Sequence, residues 1–199
     1  NNFSNSLADL NGDGKTDLIM FNSDGTVYTA ISNGSGSFPT KVQHQLGVGS
    51  GTYEVASTKI HMADFNGDGK ADIFTFTEYL TLPSHRGYKL MIWYANANGN
   101  GSFDTYYTIR DDIVNQIEYP NFWIGEETIG DINGDGLADV VYRINFPYTL
   151  PLAVALSTGT GMTYEAANIM SKPALADIND DGMDDLIVTN YIYKSDGDG

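Results

Sequence analysis

The feature that most constrains the fold of this chain is a short acidic segment that occurs four times. It reads DLNGDGKTDL at 9–18, DFNGDGKADI at 64–73, DINGDGLADV at 131–140 and DINDDGMDDL at 177–186. Successive copies begin 55, 67 and 46 residues apart. The repeating unit is therefore about 50 residues long and tolerates insertions, and this length fits a four-stranded propeller blade.

The sequence around each acidic segment predicts β-strands. Two apolar stretches follow every copy, and a small-residue turn comes after them: NGSG at 33–36, NGNG at 98–101, TGTG at 158–161 and DGDG at 196–199. Glycine supplies the positive φ that tight hairpins need. We therefore predict an all-β chain, a β-propeller of four-stranded blades forming a single repeat domain.

The approximate blades are 3–57, 58–125, 126–170 and 171–199. The fourth repeat stops at Gly199, where its last strand is due to begin. We expect an incomplete fourth blade. Either the chain belongs to a larger propeller, or another strand donor completes the blade, for example in a self-associating protein.

Each acidic segment has the donor pattern of a calcium loop. It follows D-x-N-x-D-G-x-x-D, with side-chain oxygens at positions 1, 3, 5 and 9 and glycine at the sharp bend of position 6. Ca²⁺ prefers hard oxygen ligands of this kind. We predict one Ca²⁺ per repeat, about four in all. The predicted side-chain ligands are Asp9, Asn11, Asp13 and Asp17; Asp64, Asn66, Asp68 and Asp72; Asp131, Asn133, Asp135 and Asp139; and Asp177, Asn179, Asp181 and Asp185. The backbone carbonyls of Lys15, Lys70, Leu137 and Met183 would be the position 7 ligands.

An EF-hand and an ordinary turn are the alternatives to this calcium loop. An EF-hand requires Glu at position 12, which is held here by Met20, Thr75, Tyr142 and Val188. Ordinary Asp-Gly and Asn-Gly turns recur in β-proteins, but four near-identical copies of nine positions favour a metal loop. In the last copy Asp180 replaces a glycine and Asp184 adds a charge. Aspartate tolerates the left-handed conformation, so we expect this loop to form as well.

Charge and composition exclude several classes of partner. The formal net charge is −16, which opposes binding to nucleic acid or to an anionic membrane surface. The chain has no cysteine and no apolar run long enough for a membrane span. Four Ca²⁺ ions would reduce the net charge to about −8, so we predict that calcium removal destabilises the chain.

The four loops together resemble the FG-GAP or VCBS repeat family, and the D-x-N-x-D-G-x-x-D pattern is similar to the calcium loops of the integrin α-subunit propeller. The resemblance implies a propeller of usually seven or eight blades, with calcium in a hairpin between the first two strands of a blade. Family members act in adhesion, as lectins, in bacterial surface proteins and toxins, and in some polysaccharide-degrading enzymes. Fold alone does not choose among these roles.

Long insertions at 77–89, 110–127 and 144–151 are predicted to be loops on the face opposite the calcium loops. Aromatic side chains beside Arg can stack on a sugar ring or anchor a protein partner. The candidate ligand-binding residues are Tyr79, His85, Arg86, Tyr88, Tyr119, Trp123 and Tyr148, with Phe122 and Phe146 nearby. The alternative is that most of these residues fill the gaps between blades.

No catalytic pattern stands out. The three histidines, His44, His61 and His85, are scattered, and no nucleophile elbow is present. We expect a non-enzymatic, secreted or cell-surface module that binds carbohydrate or a protein through recognition or adhesion. The alternatives are the scaffold of a secreted polysaccharide-acting enzyme and a structural part of a larger surface or toxin assembly.

Overall fold

The fold is described from a computed structural model, which covers residues 3–22, 26–46, 54–82, 85–96, 98–115, 123–145, 152–167 and 171–196. Fifteen strands and no helix occur in these ranges. The described part of the chain accordingly has no helix able to cross a membrane. The prediction of an all-β fold is confirmed.

The strands form four antiparallel sheets, and each sheet follows the order of the chain. Sheet 1 contains β1 (Phe3–Ala8), β2 (Asp17–Asn22), β3 (Thr26–Ile31) and β4 (Thr40–Gln45). Sheet 2 contains β5 (Glu54–Ala63), β6 (Asp72–Leu82), β7 (His85–Ala95) and β8 (Phe103–Asn115). Sheet 3 contains β9 (Trp123–Gly130), β10 (Asp139–Asn145), β11 (Leu152–Ser157) and β12 (Met162–Ala167). Sheet 4 has three described strands, β13 (Ala174–Ala176), β14 (Asp185–Val188) and β15 (Tyr191–Tyr193).

Burial along sheet 1 shows why these segments are strands. In β2, Asp17, Ile19 and Phe21 are buried and alternate with partly buried residues. This period of two is the pattern of a strand with one face in the core. In β3 five of the six positions are buried, whereas β4 is mostly exposed. The inner strands therefore carry the core, and β4 lies at the edge of the sheet.

The chain divides into two compact units. The first consists of Asn1–Asp64 and Asp68–Ile113, and the second of Phe65–Gly67 and Val114–Gly199. In the first unit, one apolar core joins sheets 1 and 2, with Ile19, Phe21 and Trp93 among its members. In the second unit, a smaller core joins sheets 3 and 4 through Val141, Val154 and Val188. Each core is formed by the facing sides of two successive sheets.

The structure corrects the prediction of a long loop at 77–89. Residues 77–82 continue β6, and residues 85–89 belong to β7, with Glu78 opposite Tyr88 and Tyr79 opposite Gly87. The segment TEYLTL at 77–82 alternates β-branched or aromatic residues with others, which favours a strand. Similarly, residues 110–115 extend β8, and residues 123–127 begin β9. The described parts of these two insertions therefore lengthen strands. Most of the predicted loop at 144–151 lies outside the described residues.

Candidate metal loops

The four acidic segments occupy the same place in their sheets. Each runs between the first and second strands, from β1 to β2, β5 to β6, β9 to β10 and β13 to β14. The ninth residue of every segment is the first residue of the second strand. In the first three sheets, the small-residue turns that follow the third strand lie at this same end.

The aspartate at position 1 organises its own loop. Asp9 Oδ1 accepts hydrogen bonds from the backbone N–H groups of Asn11, Gly12 and Asp13, at 3.2, 2.8 and 3.3 Å. Asp9 Oδ2 accepts from the Gly14 N–H at 2.7 Å. Since charged acceptors make the stronger hydrogen bonds, this carboxylate fixes the curvature of the loop. Asn11 Oδ1 also accepts from the Asp13 N–H, at 3.1 Å, so the oxygens of positions 1 and 3 lie close to one another.

The other loops repeat this arrangement. The carboxylate at position 1 accepts a hydrogen bond from the N–H of position 6 in every copy: Gly69 to Asp64 at 2.8 Å, Gly136 to Asp131 at 2.8 Å and Gly182 to Asp177 at 3.0 Å. The asparagine at position 3 accepts from the position 5 N–H in the third and fourth loops as well, at 3.1 and 3.0 Å. The sequence repeat is thus a repeat of backbone geometry.

Positive φ angles at positions 4 and 6 explain the glycines. Gly12 and Gly14 have φ of 75° and 77°, values that residues with a Cβ rarely adopt. In the fourth loop Asp180 takes position 4 with φ of 59°. Short polar side chains such as aspartate are the usual exceptions in this region, and the loop forms despite the substitution.

At position 5, the first two loops differ from the last two. Asp13 Oδ2 lies 2.7 Å from Lys15 Nζ, and Asp68 Oδ2 lies 2.6 Å from Lys70 Nζ. The hydrogen bond from Lys15 holds the pKa of Asp13 below its ordinary value. Position 7 holds Leu137 and Met183 in the third and fourth loops, which removes this ion pair.

The aspartate at position 9 ties the loop to the sheet. Asp17 is fully buried; its Oδ2 accepts from the Leu10 N–H at 2.9 Å, and its Oδ1 accepts from the Ser32 N–H at 2.7 Å. Leu10 lies in the acidic loop, and Ser32 follows the third strand of the same sheet. One buried carboxylate therefore connects both turns at this end of the sheet.

This connection recurs in all four sheets. Asp72, Asp139 and Asp185 are also fully buried, and each accepts from an N–H at or just beyond the end of the third strand: Ala95 at 2.6 Å, Ser157 at 2.7 Å and Ser195 at 2.9 Å. Asp139 and Asp185 also accept from position 2, from Ile132 at 2.9 Å and Ile178 at 3.1 Å. The sequence predicted these aspartates only as ligands and missed their structural role.

Burial affects the ionisation of one of these aspartates. Loss of solvent raises the pKa of Asp139 to about 6, while the hydrogen bonds from the Ser157 and Ile132 amides lower it, and the charges of Asp135 and Asp131 raise it further. A cation near these three carboxylates would favour their ionised forms.

Comparison with known families agrees with this geometry. Residues 9–75, about a third of the chain, match the family described as an FG-GAP-like repeat. This segment is similar to an FG-GAP-like repeat. The resemblance to the FG-GAP/VCBS repeat family is confirmed here, over the first two acidic loops and the strands between them. No curated protein matches the chain.

Successive acidic loops within each unit are linked through their backbones. In the first unit, the Ala71 N–H at position 8 of the second loop donates to the Asp9 carbonyl at position 1 of the first loop, at 2.7 Å. In the second unit, the Asp184 N–H donates to the Asp131 carbonyl in the same way, at 2.6 Å. The Asp184 carboxylate also accepts from the Asp131 N–H at 2.9 Å. The additional charge of the fourth loop therefore serves a contact between repeats.

The loops contain suitable calcium ligands, but they do not form a ready cage. Among the described residues, no group of three or more His, Cys, Asp or Glu side chains is spaced to hold a metal ion. The oxygens at positions 1, 3 and 5 are the hard donors that Ca²⁺ takes, and an oxygen such as Asp9 Oδ2, which accepts one N–H, retains a further lone pair. The donor set fits calcium, provided that the position 5 aspartates turn toward the ion.

The predicted ligand-binding residues differ in where they lie in the fold. Tyr88 is buried and packs against Phe76, with ring centroids 6.1 Å apart, so its predicted place on an exposed loop is wrong. Tyr79, His85 and Arg86 lie in the extended β6–β7 hairpin, and Trp123 is the first residue of β9. Tyr119, Phe122, Phe146 and Tyr148 lie outside the described residues.

One acidic pair elsewhere also has a structural partner. Glu126 and Glu127 lie in β9, and Glu126 has φ of 54° beside a break in register with β10. The Glu126 carboxylate forms an ion pair with the Arg143 guanidinium. A β-bulge that directs a side chain to a specific partner is a common device in sheets.

Proposed function

We propose that the four loops bind Ca²⁺ and that this chain is a calcium-stabilised extracellular module for recognition or adhesion. The observation that carries the proposal is the repetition of one loop geometry. Side-chain oxygens at positions 1, 3 and 5 occur in the same order at the same end of each sheet, and a buried aspartate begins the strand that follows every loop. Ordinary turns do not need this set of carboxylates.

The charge of the loops supports calcium as a stabiliser. Each loop holds aspartates at positions 1, 5 and 9, and like charges at short range destabilise the folded state. In the first two loops, lysine partly neutralises position 5. A divalent cation supplies that compensation in all four loops. Asp9, Asn11, Asp13 and Asp17, with the Lys15 carbonyl, would hold it in the first loop, and the equivalent residues would hold it in the others.

We further propose that the sheets are blades of a propeller. Each of the first three sheets has four strands in chain order, which is the topology of a blade. In both units, two successive sheets pack face to face and share the same backbone link between their acidic loops. In a propeller, each blade packs on the next through the same contact, and the blades are arranged around a central axis.

The best candidate for a recognition surface is the extended β6–β7 hairpin. β6 and β7 have eleven residues each, whereas β2 and β3 have six. Five further residues extend a strand by about 16 Å. The pair Leu82 and His85 lies at the end of sheet 2 opposite the acidic loop. The hairpin carries Tyr79, His85 and Arg86, residue types suited to carbohydrate or protein ligands.

A binding screen with a shortened hairpin tests the recognition role. Residues 79–87 are replaced by Asn-Gly, a dipeptide that closes two-residue hairpins, which keeps the Glu78–Tyr88 pair. Both proteins are applied to a glycan array and to immobilised extracellular matrix proteins, with calcium and with chelator. We expect calcium-dependent binding that the shortened protein loses while its thermal unfolding is unchanged. Equal binding by the two proteins would exclude the hairpin, and no binding by either would refute the recognition role.

A further inference from the structure

The backbone link between the first two acidic loops is part of a longer chain of hydrogen bonds. The Ala71 N–H donates to the Asp9 carbonyl at 2.7 Å. The Asp9 carbonyl shares its peptide group with the Leu10 N–H, which donates to Asp17 Oδ2 at 2.9 Å. The Ala71 N–H likewise shares its peptide group with the Lys70 carbonyl, the predicted position 7 ligand of the second loop. The chain of bonds therefore runs from position 7 of the second loop to position 9 of the first.

The second unit contains the same chain of bonds. The Asp184 N–H donates to the Asp131 carbonyl at 2.6 Å, and the Ile132 N–H of that peptide group donates to Asp139 Oδ2 at 2.9 Å. The Met183 carbonyl, the predicted position 7 ligand of the fourth loop, belongs to the same peptide group as the Asp184 N–H. In both units, the later loop is thus connected through position 1 of the earlier loop to its buried aspartate.

A side chain strengthens the link between the third and fourth loops. The Asp184 carboxylate accepts a hydrogen bond from the Asp131 N–H at 2.9 Å. A Cβ at Gly130, the residue before Asp131, would overlap Asp184 Oδ2, so glycine makes room for this carboxylate. In the first unit, alanines occupy the corresponding positions, Ala8 and Ala71. Gly130 and Asp184 are therefore a matched pair that adds a second hydrogen bond to the backbone link.

Ser195 adds a third link in the second unit. Its hydroxyl donates to the Ile132 carbonyl, and its N–H donates to Asp185 Oδ1 at 2.9 Å. Because the Ile132 N–H donates to Asp139, the buried position 9 aspartates of the third and fourth loops are joined through two residues. Ala95, at the corresponding position of the first unit, has no hydroxyl group.

We propose that calcium binding is positively cooperative within each pair of loops, the first with the second and the third with the fourth, and that the coupling is stronger in the second pair. This inference rests on the proposed binding of Ca²⁺ by the loops and adds its regulation. A cation at a carbonyl oxygen polarises the peptide group and strengthens the hydrogen bond that its N–H donates, and bonds in a chain reinforce one another. An ion also orders its own loop, which lowers the entropy cost of ordering the linked loop.

Thermodynamic linkage determines the form of this effect. If an ion in the fourth loop raises the calcium affinity of the third by some factor, an ion in the third loop raises the affinity of the fourth by the same factor. Coupled sites usually differ by about 5- to 150-fold in this way. We expect a factor of about five or more for the third and fourth loops, and a smaller factor for the first and second, which share fewer of these links.

Calorimetric calcium titration of variants with chosen loops intact tests the proposal. An Asp→Asn change at position 5 disables a loop; the residues are Asp13, Asp68, Asp135 and Asp181. Each pair is measured with the other pair disabled, and each single loop is measured with the other three disabled. The coupling factor is the overall affinity of the pair divided by the product of the two single-loop affinities.

The outcomes distinguish this inference from the proposed function. We expect a coupling factor above one in both pairs and the larger factor in the third and fourth loops. Calcium binding with a factor of one, or with equal factors in the two pairs, would overturn the inference and leave calcium binding in place. No calcium uptake by any loop would refute the proposed function, and the inference with it.

Two variants of Asp184 separate its hydrogen bond from its charge. Asp184→Ala removes both, whereas Asp184→Asn keeps an oxygen that can accept from the Asp131 N–H. Both variants lose the same charge, so both should lower the affinities of the single loops. Only Asp184→Ala should reduce the coupling factor, and adding Ser195→Ala should lower it to that of the first pair. Equal reduction of the coupling factor by Asp184→Ala and Asp184→Asn would overturn the role of the link.

Amide hydrogen exchange in the first unit follows the chain of bonds itself. In a variant with only the second loop intact, calcium should slow exchange of the Leu10 N–H, which lies in the disabled first loop and donates to Asp17. The control is the Ser35 N–H, which donates to Asn33 Oδ1 at 2.9 Å in a turn of the same sheet and should exchange at an unchanged rate. No slowing at Leu10, or equal slowing at Ser35, would overturn the proposal.

Discussion

The buried aspartate at position 9 has a structural role that can be measured separately from metal binding. In the third loop, Asp139 accepts hydrogen bonds from the Ile132 and Ser157 amides at 2.9 and 2.7 Å and is fully buried. Asp139→Asn keeps the shape of the side chain but turns an NH₂ group toward one of the two amides. That amide loses its acceptor in the interior, where an unsatisfied N–H costs about 1–3 kcal/mol.

An opposing effect limits the loss of folding stability in Asp139→Asn. Loss of the buried charge removes a desolvation cost, which is the cost that raises the pKa of Asp139 to about 6. We therefore expect a net destabilisation of about 2 kcal/mol, a substantial part of the 5–15 kcal/mol that stabilises an ordinary domain. The measurement is urea unfolding followed by intrinsic fluorescence, with chelator present so that no metal contributes.

Asp135→Asn is the matched control, because it removes the same charge from the same loop. Asp135 is exposed, and its Oδ1 accepts from the Leu137 N–H at 2.8 Å. An amide oxygen can accept the same bond, so we expect a change within about 0.5 kcal/mol in chelator. With calcium present, both variants should lose calcium-dependent stability. Equal destabilisation of the two variants in chelator would refute the structural role of Asp139.

Three further predictions follow from the loops. Chelator should lower the melting temperature of the parent protein by several degrees, since a ligand that binds only the folded state stabilises it; an unchanged melting temperature by calorimetry would contradict this. Lys70→Leu should raise the calcium affinity of the second loop by up to about fivefold, because Lys70 Nζ lies 2.6 Å from Asp68 Oδ2 and competes with the ion; calorimetric titration that finds weaker binding would exclude the competition. Gly134→Ala should destabilise more than Gly136→Ala in urea unfolding. Both residues have positive φ, of 73° and 84°, but a Cβ at Gly134 would lie 2.6 Å from Met183 Cγ, and no described atom lies within 4 Å of a Cβ at Gly136. Equal destabilisation by Gly134→Ala and Gly136→Ala would contradict the close approach of the third and fourth loops.

The repeat and the strands were readable from the sequence because both depend on local patterns. Four near-identical acidic segments, each followed by apolar stretches and a glycine turn, predicted a hairpin between the first two strands of each sheet. Positive φ at Gly14 and its equivalents was predicted from the bend at position 6. The geometry of Asp180 followed from the tolerance of aspartate for the left-handed region.

The remaining features depend on contacts between segments far apart in the chain. The bond from the Ser32 N–H to Asp17 spans 15 residues, and the bond from the Asp131 N–H to Asp184 spans 53. No spacing rule within one loop indicates either bond. The insertion at 77–89 is predicted to be a loop, whereas the alternation of residues 77–82 favours the strand β6 that the structure contains. Tyr88, predicted to lie in that loop, is buried beside Phe76.

Calcium titration of the metal-free protein by isothermal calorimetry tests the central claim most directly. The account predicts saturable binding of about four ions per chain, with the stoichiometry reduced by one in Asp135→Asn and a matching rise in thermal stability. A folded, metal-free protein that takes up no calcium at millimolar concentration, and unfolds at the same temperature with and without it, would contradict the account.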